Sequence, residues 1–374
     1  MKLTYLTWGY LYDQSIIRSF QNIGFLVETV ALPCTIKESD NQEAVEEFKK
    51  KLIHVAGDMV FSVNFFAYVS DICMEQVIPY CSWVLQLPNY DLYQSAVLNA
   101  CNYLGICDSF LTKKMWELGV TRAFFLPDAI DLEGALPKAT FEREACFVAR
   151  CPETPMITEG MSLYSTGYLE AFLHAQRVLY GTYILDEGLI NRVLQEVMAV
   201  NPVPEDVLPK MQKLFMADKY FAPACTSLQQ NIFLQNFQSI MTIYSDGEFT
   251  NCNCEKHSYV EAESARRKIY AGKEFTVILA PHVLHNGIPR DFLEVIAAGG
   301  FPLAGYQQDY DYFFENGKNI AYFNSSDEFK QLLVKYGNDH ELREKLREAA
   351  YEAVAAGHTY LHRISTMLDM WERM

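Results

Sequence analysis

The chain has 374 residues, of which 50% are hydrophobic and 14% aromatic, and it carries a formal net charge of -16. This length and apolar content exceed what one hydrophobic core usually holds, and they predict two domains. The strong negative charge argues against a nucleic-acid polymer or an anionic membrane as the main partner, because binding either requires clustered Lys and Arg.

The N-terminal segment "MKLTYLTWGYLYDQ" lacks the features of a signal peptide, and no apolar run reaches the length that crosses a membrane. We therefore expect a soluble cytoplasmic protein without a transmembrane segment, whose ten cysteines are mostly buried thiols. The segment "CNCEKH" contains Cys252, Cys254 and His257, which could begin a zinc site. Its C-x-C spacing lacks the usual two-residue spacer and no second ligand pair follows, which favours a polar loop.

Short apolar runs alternate with helical patterns through the first third of the chain. A first strand, "KLTYLTW", precedes a helix from about Asp13, and a charged helix follows the second strand. The predicted strands after it are "DMVFSV", "YCSWVL", "LGIC" and "AFFL". This alternation is typical of βαβ units around a parallel sheet. The stretch "DAIDLEGALPKATFEREA" is rich in turn formers and charges, and it predicts a linker into a second domain.

The second half of the chain has the pattern of another α/β unit. A strand, "ACFVAR", is followed by a helix-rich tract from about Ser162 to Gln238, which we interpret as a helical insertion. Strands then resume in "SIMTIYS", "FTVILAP", "FPLAGY" and "NIAYF". The last segment predicts two helices that are broken near Gly357.

The stretch "LHNGIPRDFLEVIAAGG" follows a predicted strand and opens a helix. The free N–H groups and the positive dipole end of that helix would stabilise phosphate oxygens, and Arg290 adds donors suited to the same oxygens. Glu294 lies on a face otherwise meant for the core, where an acid is costly unless it accepts hydrogen bonds, such as those of ribose hydroxyls. The alternative is a helix with a Pro289 start and a Gly299-Gly300 stop and nothing more.

These residues, together with several others, resemble the CgeB-like (spore-maturation type) glycosyltransferases. The likeness runs through nearly the whole chain, from "DMVFSVNFFAYVSDIC" and "FFLPDAID" through "GYLEAFLHAQRVLYG" to "HNGIPRDFLEVIAAGGFPLAGYQQDYDYFFENGKNIAYF" and "GHTYLHRISTML". The resemblance implies an α/β fold of the GT-B type, with two facing Rossmann-like domains and a helical insertion in the second half.

The implied organisation has three parts. Residues 1–135 would form the acceptor-side domain and residues 136–357 the nucleotide-sugar-binding domain, with its insertion at about 162–238. Residues 358–374 would form a C-terminal helix that returns toward the first domain. The implied reaction moves a sugar from a nucleotide-sugar donor to an unknown acceptor, which could be a protein, a polysaccharide precursor or another glycan, or a small metabolite. It would need no metal or other cofactor.

The resemblance also implies a set of donor-binding residues. Related GT-B enzymes carry two acids eight positions apart. Glu294 stands at the second position and would hold the ribose, and Asn286 stands at the first. Arg150 would contact the diphosphate, and Tyr244 and Ser245 lie where the base would bind. The full expected nucleotide-sugar-binding set is Arg150, Tyr244, Ser245, His285, Asn286, Gly287, Arg290, Glu294 and Gly300, with no metal ligand.

Some positions depart from the family's pattern. Asn286 cannot act as a carboxylate. Asp291 stands where the family tends to place Arg, and Gln86 where it often has Asp. The residues after "FV" also differ, because this chain has "ARCP" where the family more often has Gly and then small or aromatic residues.

The acceptor hydroxyl needs a base if the reaction inverts the sugar carbon. Asp13 and Asp91 follow predicted strands of the first domain, and either could equally cap a helix. We favour a cap for Asp91 and assign the catalytic role to Asp13. His285 could donate to a phosphate or sugar oxygen, and His282 has a weaker claim. His358 and His362 are expected to be helix-start and surface residues rather than metal ligands.

A second function stays open beside the enzyme. A catalytically inactive sugar-nucleotide-binding or scaffold protein would keep the fold while losing the base and the first acid, and Gln86 and Asn286 favour it. A two-lobed solute-binding protein would share the fold's cleft but would need an export signal.

Overall fold

The structure is a computed structural model that describes residues 1–33, 42–132, 136–137, 142–152, 159–176, 195–247, 249 and 252–373. The chain divides into two compact units. Unit 1 comprises Met1–Asp128, Glu205–Met211 and Tyr360–Met374, and unit 2 comprises Ala129–Pro204 and Gln212–Thr359.

Unit 1 is built on a six-stranded parallel sheet with the strand order β2-β1-β3-β4-β5-β6. Its strands are β1 (Lys2–Thr7), β2 (Leu26–Ala31), β3 (Met59–Val63), β4 (Tyr80–Val84), β5 (Asn102–Ile106) and β6 (Ala123–Phe125). Every residue of β3, β4 and β5 is buried. Such continuously buried strands are expected where helices cover both faces of a parallel sheet.

The described α-helices of unit 1 include four that lie between its strands in the sequence and the final helix of the chain. They are α1 (Asp13–Asn22), α2 (Gln42–Val55), α3 (Ala67–Gln76), α4 (Ser109–Leu118) and the final helix of the chain, α12 (Tyr360–Arg373). A short segment from the middle of the sequence also belongs to this unit. There the backbone N–H of Leu208 donates to the carbonyl oxygen of Tyr93 at 2.8 Å.

Unit 2 contains a second six-stranded parallel sheet, with the strand order β12-β11-β10-β7-β8-β9. Its strands are β7 (Glu142–Val148), β8 (Met241–Tyr244), β9 (Glu255–His257), β10 (Lys273–Ile278), β11 (Pro302–Gly305) and β12 (Tyr322–Phe323). Its helices include α5 (Leu163–Gln176), α6 (Gln212–Met216), α7 (Ala222–Phe237), α8 (Glu263–Gly272), α9 (Arg290–Ala297), α10 (Ser326–Asn338) and α11 (His340–Gly357).

The sheet of unit 2 has a core on each face, and successive side chains of a strand point into the two cores in turn. Cys146 and Val148 of β7 join a cluster with α9 and α11, whereas Ala145 and Phe147 join a second cluster with α7. The unit therefore has helices packed against both faces of its sheet.

The predicted α/β fold of two parallel sheets is confirmed. Helices lie in the described parts of the tract predicted as an insertion, while its residues 177–194 lie outside the described residues. The predicted break near Gly357 is also confirmed, because α11 ends there.

One strand differs from the sequence-based interpretation. The segment "CNCEKH", predicted as a polar loop, contains edge strand β9, which pairs with β8 in parallel. Its three side chains are all exposed, so it has no apolar alternation that would predict a strand. Within the described residues, no helix combines the length and the apolar character needed to span a bilayer.

Candidate functional site

The candidate site of unit 2 lies at the carboxyl ends of its parallel strands, the edge at which such sheets usually bind ligands. The segment from Leu279 to Pro289 leaves β10 at this edge and leads into α9. Pro289 has an extended backbone and is the N-cap residue of α9, so the helix begins at Arg290. The first turn of α9 therefore opens at the edge where the sequence predicts a phosphate site.

Glu294 is an almost completely buried acid, with 1% of its side chain exposed. Its carboxylate accepts two hydrogen bonds from Arg266 of α8, from Nε at 3.1 Å and from Nη2 at 3.0 Å. Arg290, one turn earlier on α9, brings its Nε within 3.3 Å of the same carboxylate. A buried carboxylate needs such partners, because burying an unpaired charge is costly.

Arg266 also ties this carboxylate to the loop after β9. Its Nη1 donates to the carbonyl oxygens of Val260 at 3.2 Å and of Glu261 at 2.7 Å. One guanidinium thus fixes both the carboxylate and the loop. Arg266 could not be identified from the sequence, because no local motif connects it with Glu294, which lies 28 residues away.

Asp291 lies beside this network in the first turn of α9. Burial and the nearby charge of Glu294 raise the pKa of Asp291 to about 7, and the charges of Arg266 and Arg290 offset only part of this rise. At neutral pH the carboxyl of Asp291 is therefore divided between its protonated and ionised forms.

Arg150 lies at the same edge, directly after β7, and its side chain is 57% exposed. It forms ion pairs with Asp246, at 3.6 Å, and with Glu261. Its guanidinium also lies over the ring of Tyr259, 4.6 Å from the centroid. The expected phosphate-binding arginine is therefore near the predicted edge, but two carboxylates already contact it.

Tyr244 and Ser245 end β8 near Arg150. The ring of Tyr244 stacks on that of His257, with centroids 4.9 Å apart, and the Ser245 hydroxyl accepts a hydrogen bond from the N–H of Gly247 at 3.2 Å. Gly300 is not brought together with the other candidates, because it follows the C-terminal end of α9. A β-carbon there would lie 2.7 Å from the carbonyl oxygen of Tyr270, so close packing explains this glycine.

His285, Asn286 and Gly287 are all buried in the segment before α9. The carbonyl oxygen of Asn286 accepts a hydrogen bond from the N–H of Asp309 at 3.0 Å, which holds this segment against the loop after β11. His285 Nε2 lies 2.9 Å from Asp218 Oδ1. Asp218 could not be identified from the sequence either, because it lies in the helical tract, 67 residues from His285.

Asp13, the expected base, is buried in unit 1 at the start of α1. Its Oδ1 accepts a hydrogen bond from the hydroxyl of Tyr5 and its Oδ2 one from the hydroxyl of Thr7, each at 2.6 Å. The alternative role as the N-cap of α1 is wrong, because Tyr12 occupies that position and no side chain caps the helix there.

Asp91 does act as a cap, as favoured from the sequence, but for another helix. Its Oδ2 accepts a hydrogen bond from the N–H of Ala67, the first residue of α3, at 2.9 Å. Capping of a helix start by a residue distant in sequence cannot be predicted from local pattern.

Gln86 joins a polar cluster that the sequence did not reveal. Asn64, at the end of β3, is buried and has a positive φ of 64°. Its Oδ1 accepts from the N–H groups of Leu85 and Gln86, and its Nδ2 donates to Gln86 Oε1 at 3.0 Å. The sequence signal for this cluster is an Asn directly after a predicted strand, because Asn adopts a positive φ more readily than most residues.

The remaining candidates do not form a metal site. His358 is buried against the rings of Phe313 and Phe314. The Sγ atoms of Cys252 and Cys254 lie 2.9 Å apart. Across the residues that the structure describes, no group of three or more His, Cys, Asp or Glu side chains is arranged to hold a metal ion.

Comparisons with known proteins agree with this architecture. Residues 232–369 match the family described as glycosyl transferase-like. No curated protein matches the chain in sequence. The match begins in α7 and continues through the candidate edge into α12.

Three solved structures illustrate the similarity of the whole chain. Sucrose-phosphate synthase from Thermosynechococcus elongatus has a TM-score of 0.52 and 10% identity, over 100% of this chain and 98% of that one. Anabaena HepE in complex with UDP-glucose has a TM-score of 0.51 and 9% identity, over 100% of both chains. The E. coli trehalose-6-phosphate structure bound with UDP-2-fluoro glucose has a TM-score of 0.51 and 10% identity, over 99% of both chains.

At these identities the structural likeness shows the fold. The matched family adds a glycosyl transferase-like domain in the C-terminal part of that fold. The chain therefore has the fold of the GT-B glycosyltransferases, and its residues 232–369 match a glycosyl transferase-like family.

Proposed function

We propose that the protein transfers a sugar from a nucleotide-diphosphate sugar to an acceptor and that unit 2 binds the donor. The observation that carries this proposal is the buried carboxylate of Glu294, held by Arg266 one turn into a helix that opens at the carboxyl edge of the sheet. A carboxylate offers about four acceptor positions, so Glu294 can still accept from a ribose hydroxyl while Arg266 holds it.

The diphosphate would lie at the start of α9. The N–H groups of the first helical turn and the guanidinium of Arg290 favour negative charge there, and both would stabilise the leaving diphosphate as the glycosidic bond breaks. These groups supply the role that a bound cation has in other transferases, which is why we propose a reaction that does not require a metal. Addition of EDTA should then leave transfer unchanged.

Arg150 would join the diphosphate site by exchanging partners. Its present partner Glu261 is 72% exposed, and exposed ion pairs contribute little to stability. A diphosphate could therefore replace Glu261 on Arg150 at small cost. The ring of Tyr259 would keep the guanidinium in place during that exchange.

Asp13 is the proposed proton acceptor for the acceptor hydroxyl. Both of its oxygens accept hydrogen bonds from buried or partly buried hydroxyls, which orients the carboxylate. The same contacts favour the second candidate function, a sugar-nucleotide-binding protein without catalytic activity, because they give Asp13 a structural role. Asn286, an amide where the resembled family carries an acid, favours the same alternative.

The donor to test first is UDP-glucose, because HepE was solved with UDP-glucose and the E. coli structure with UDP-2-fluoro glucose. We propose a CgeB-like acceptor class, a protein or glycan, on the residues quoted above. A cytoplasmic location fits the free thiols of the described cysteines, which are typical of a reducing compartment.

A calorimetric binding screen with UDP, GDP, ADP and their sugars tests the proposal, followed by an assay for donor hydrolysis. We expect one nucleotide class to bind and its sugar to be hydrolysed slowly without an acceptor. Binding without transfer or hydrolysis of any sugar would favour the binding protein, and no binding of any nucleotide would reject both candidates.

A further inference from the structure

A second polar cluster lies at the carboxyl edge of unit 2, formed by the segment after β10 and the helices that precede β8. His282 and His285 come from the segment, Asp218 from a π-helical turn (Ala217–Phe221) and Thr226 from α7. All four side chains are buried. None of them forms part of the network around Glu294.

The pair of His285 and Asp218 is the central contact of this cluster. Their side chains are 2% and 3% exposed, and His285 Nε2 lies 2.9 Å from Asp218 Oδ1. A buried carboxylate is retained at a cost that a hydrophobic side chain would avoid, and π-helical turns are frequent at functional sites. Both observations suggest that this pair has a role beyond stability.

The position of the pair in the chain indicates which part of the proposed donor lies near it. His285 directly precedes Asn286, the position at which the resembled family carries an acid. Glu294 marks the proposed ribose end, and residues 286–290 the proposed diphosphate. The sugar would then lie beyond the diphosphate, on the side of His285.

We propose that His285 contacts the sugar of the donor and that Asp218 is the residue that positions it. This inference rests on the proposed function of unit 2. Because Nε2 of His285 faces Asp218, the imidazole would reach a sugar hydroxyl through Nδ1. A carboxylate is thus present at this edge from a different element of the fold, although Asn286 has replaced the acid in the segment itself.

His282 offers a matched control within the same segment. It is as deeply buried as His285, but its Nδ1 lies 3.4 Å from Thr226 Oγ1, and its backbone N–H donates to the same oxygen at 2.8 Å. Burial and the neighbouring charge of His285 lower the pKa of His282 to about 4. His282 therefore shares the packing of the cluster, and its hydrogen bonds described above go to Thr226.

The test compares UDP with UDP-glucose in calorimetry for the wild type, Asp218→Asn, His285→Gln and the control His282→Asn. We expect the first two variants to lose about three- to tenfold in affinity for UDP-glucose, the usual effect of one hydrogen bond, and to keep the affinity for UDP. His282→Asn should keep both. Equal losses for UDP and UDP-glucose, or the same pattern in His282→Asn, would show a purely structural pair and overturn the inference.

A measurement on the wild type covers the case in which Asp218→Asn does not fold. In nitrogen-15 NMR spectra, the imidazole signals of His285 should move when UDP-glucose is added and stay in place with UDP. Movement with neither ligand, although both bind, would overturn the sugar contact. If neither nucleotide binds the wild type, the proposed function itself fails, and the inference fails with it.

Discussion

Arg266 and Glu294 form a two-point ion pair between α8 and α9, with Nε to Oε2 at 3.1 Å and Nη2 to Oε1 at 3.0 Å. The side chains are 8% and 1% exposed, so water screens the pair little. A planar guanidinium matches a carboxylate in this geometry, and Lys could not make the same two contacts. The pair joins the proposed ribose contact to the loop that carries Tyr259 and Glu261.

Arg266→Met should strongly destabilise the fold. Removing one partner of a buried ion pair typically costs about 3 to 5 kcal/mol in the free energy of unfolding, and the remaining contact between Arg290 and Glu294 should keep the loss at the lower end of that range. Urea denaturation measures this loss. The neighbouring Arg267 is a matched control, because it pairs with Glu263 nearer the surface, and Arg267→Met should cost about 1 kcal/mol or less. Similar losses in both variants would contradict a special role for the buried pair.

Glu294→Ala tests the proposed ribose contact directly. Loss of a buried acceptor should weaken nucleotide binding by about 1 to 3 kcal/mol. Calorimetry with UDP and UDP-glucose measures this, and the two affinities should fall together because both ligands contain the ribose. Circular dichroism must show an intact fold, since the substitution also leaves Arg266 without this partner. Undiminished nucleotide affinity in a folded variant would remove Glu294 from the site.

Asp291 should make stability depend on pH. Its pKa is raised to about 7 in the folded protein, so between about pH 4 and 7 the folded protein holds a proton that the unfolded chain has lost. The free energy of unfolding contributed by this group therefore falls as pH rises through that window. Asp291→Asn should stabilise the protein at pH 8, by at most about 1.4 kcal/mol per unit of pKa shift, and should change little at pH 4.

The control for this titration is Asp327, which lies in the first turn of α10 and is 84% exposed. Asp327→Asn should not stabilise the protein at pH 8. If the diphosphate binds beside Asp291, Asp291→Asn should also tighten UDP binding at pH 8 more than at pH 5.5, because ionised Asp291 repels phosphate. Melting temperatures at pH 4 and pH 8 measure the first effect, and UDP affinities at pH 5.5 and pH 8 measure the second. A stability gain that is the same at pH 4 and pH 8 would contradict the raised pKa.

Most strands could be predicted from the sequence because burial on both faces makes them short, largely apolar runs, as in "MVFSV" of β3. The helix that opens at the candidate site could be predicted from its Pro, Gly and apolar pattern. Strand β9 could not be predicted, since three exposed residues at a sheet edge carry no such pattern.

The side-chain partners of the candidate site were largely beyond sequence reasoning. Glu294 was identified as a buried acid that needs hydrogen bonds, but its partner Arg266 sits on a helix whose pattern alone marks it as a charged surface residue. Asp218 likewise becomes visible only when the fold brings a π-helical turn to His285. Local sequence pattern determines whether a residue lies in a helix or a strand. Packing between elements that are distant in the sequence determines which side chains contact it.

Asp13→Asn separates the enzyme from the binding protein. If Asp13 is the base, the variant should retain UDP-glucose binding and lose transfer by about 10²- to 10⁴-fold, the usual contribution of a positioned proton acceptor. The structure supplies the control that this experiment needs, because Thr7 donates to Asp13 Oδ2. Thr7→Val removes that hydrogen bond and keeps the carboxylate, so it should cost about 1 kcal/mol of stability and leave transfer within a fewfold range. If Thr7→Val and Asp13→Asn instead reduce transfer and stability in parallel, the carboxylate has a structural role in the β1-α1 junction, and the catalytic base must be sought elsewhere.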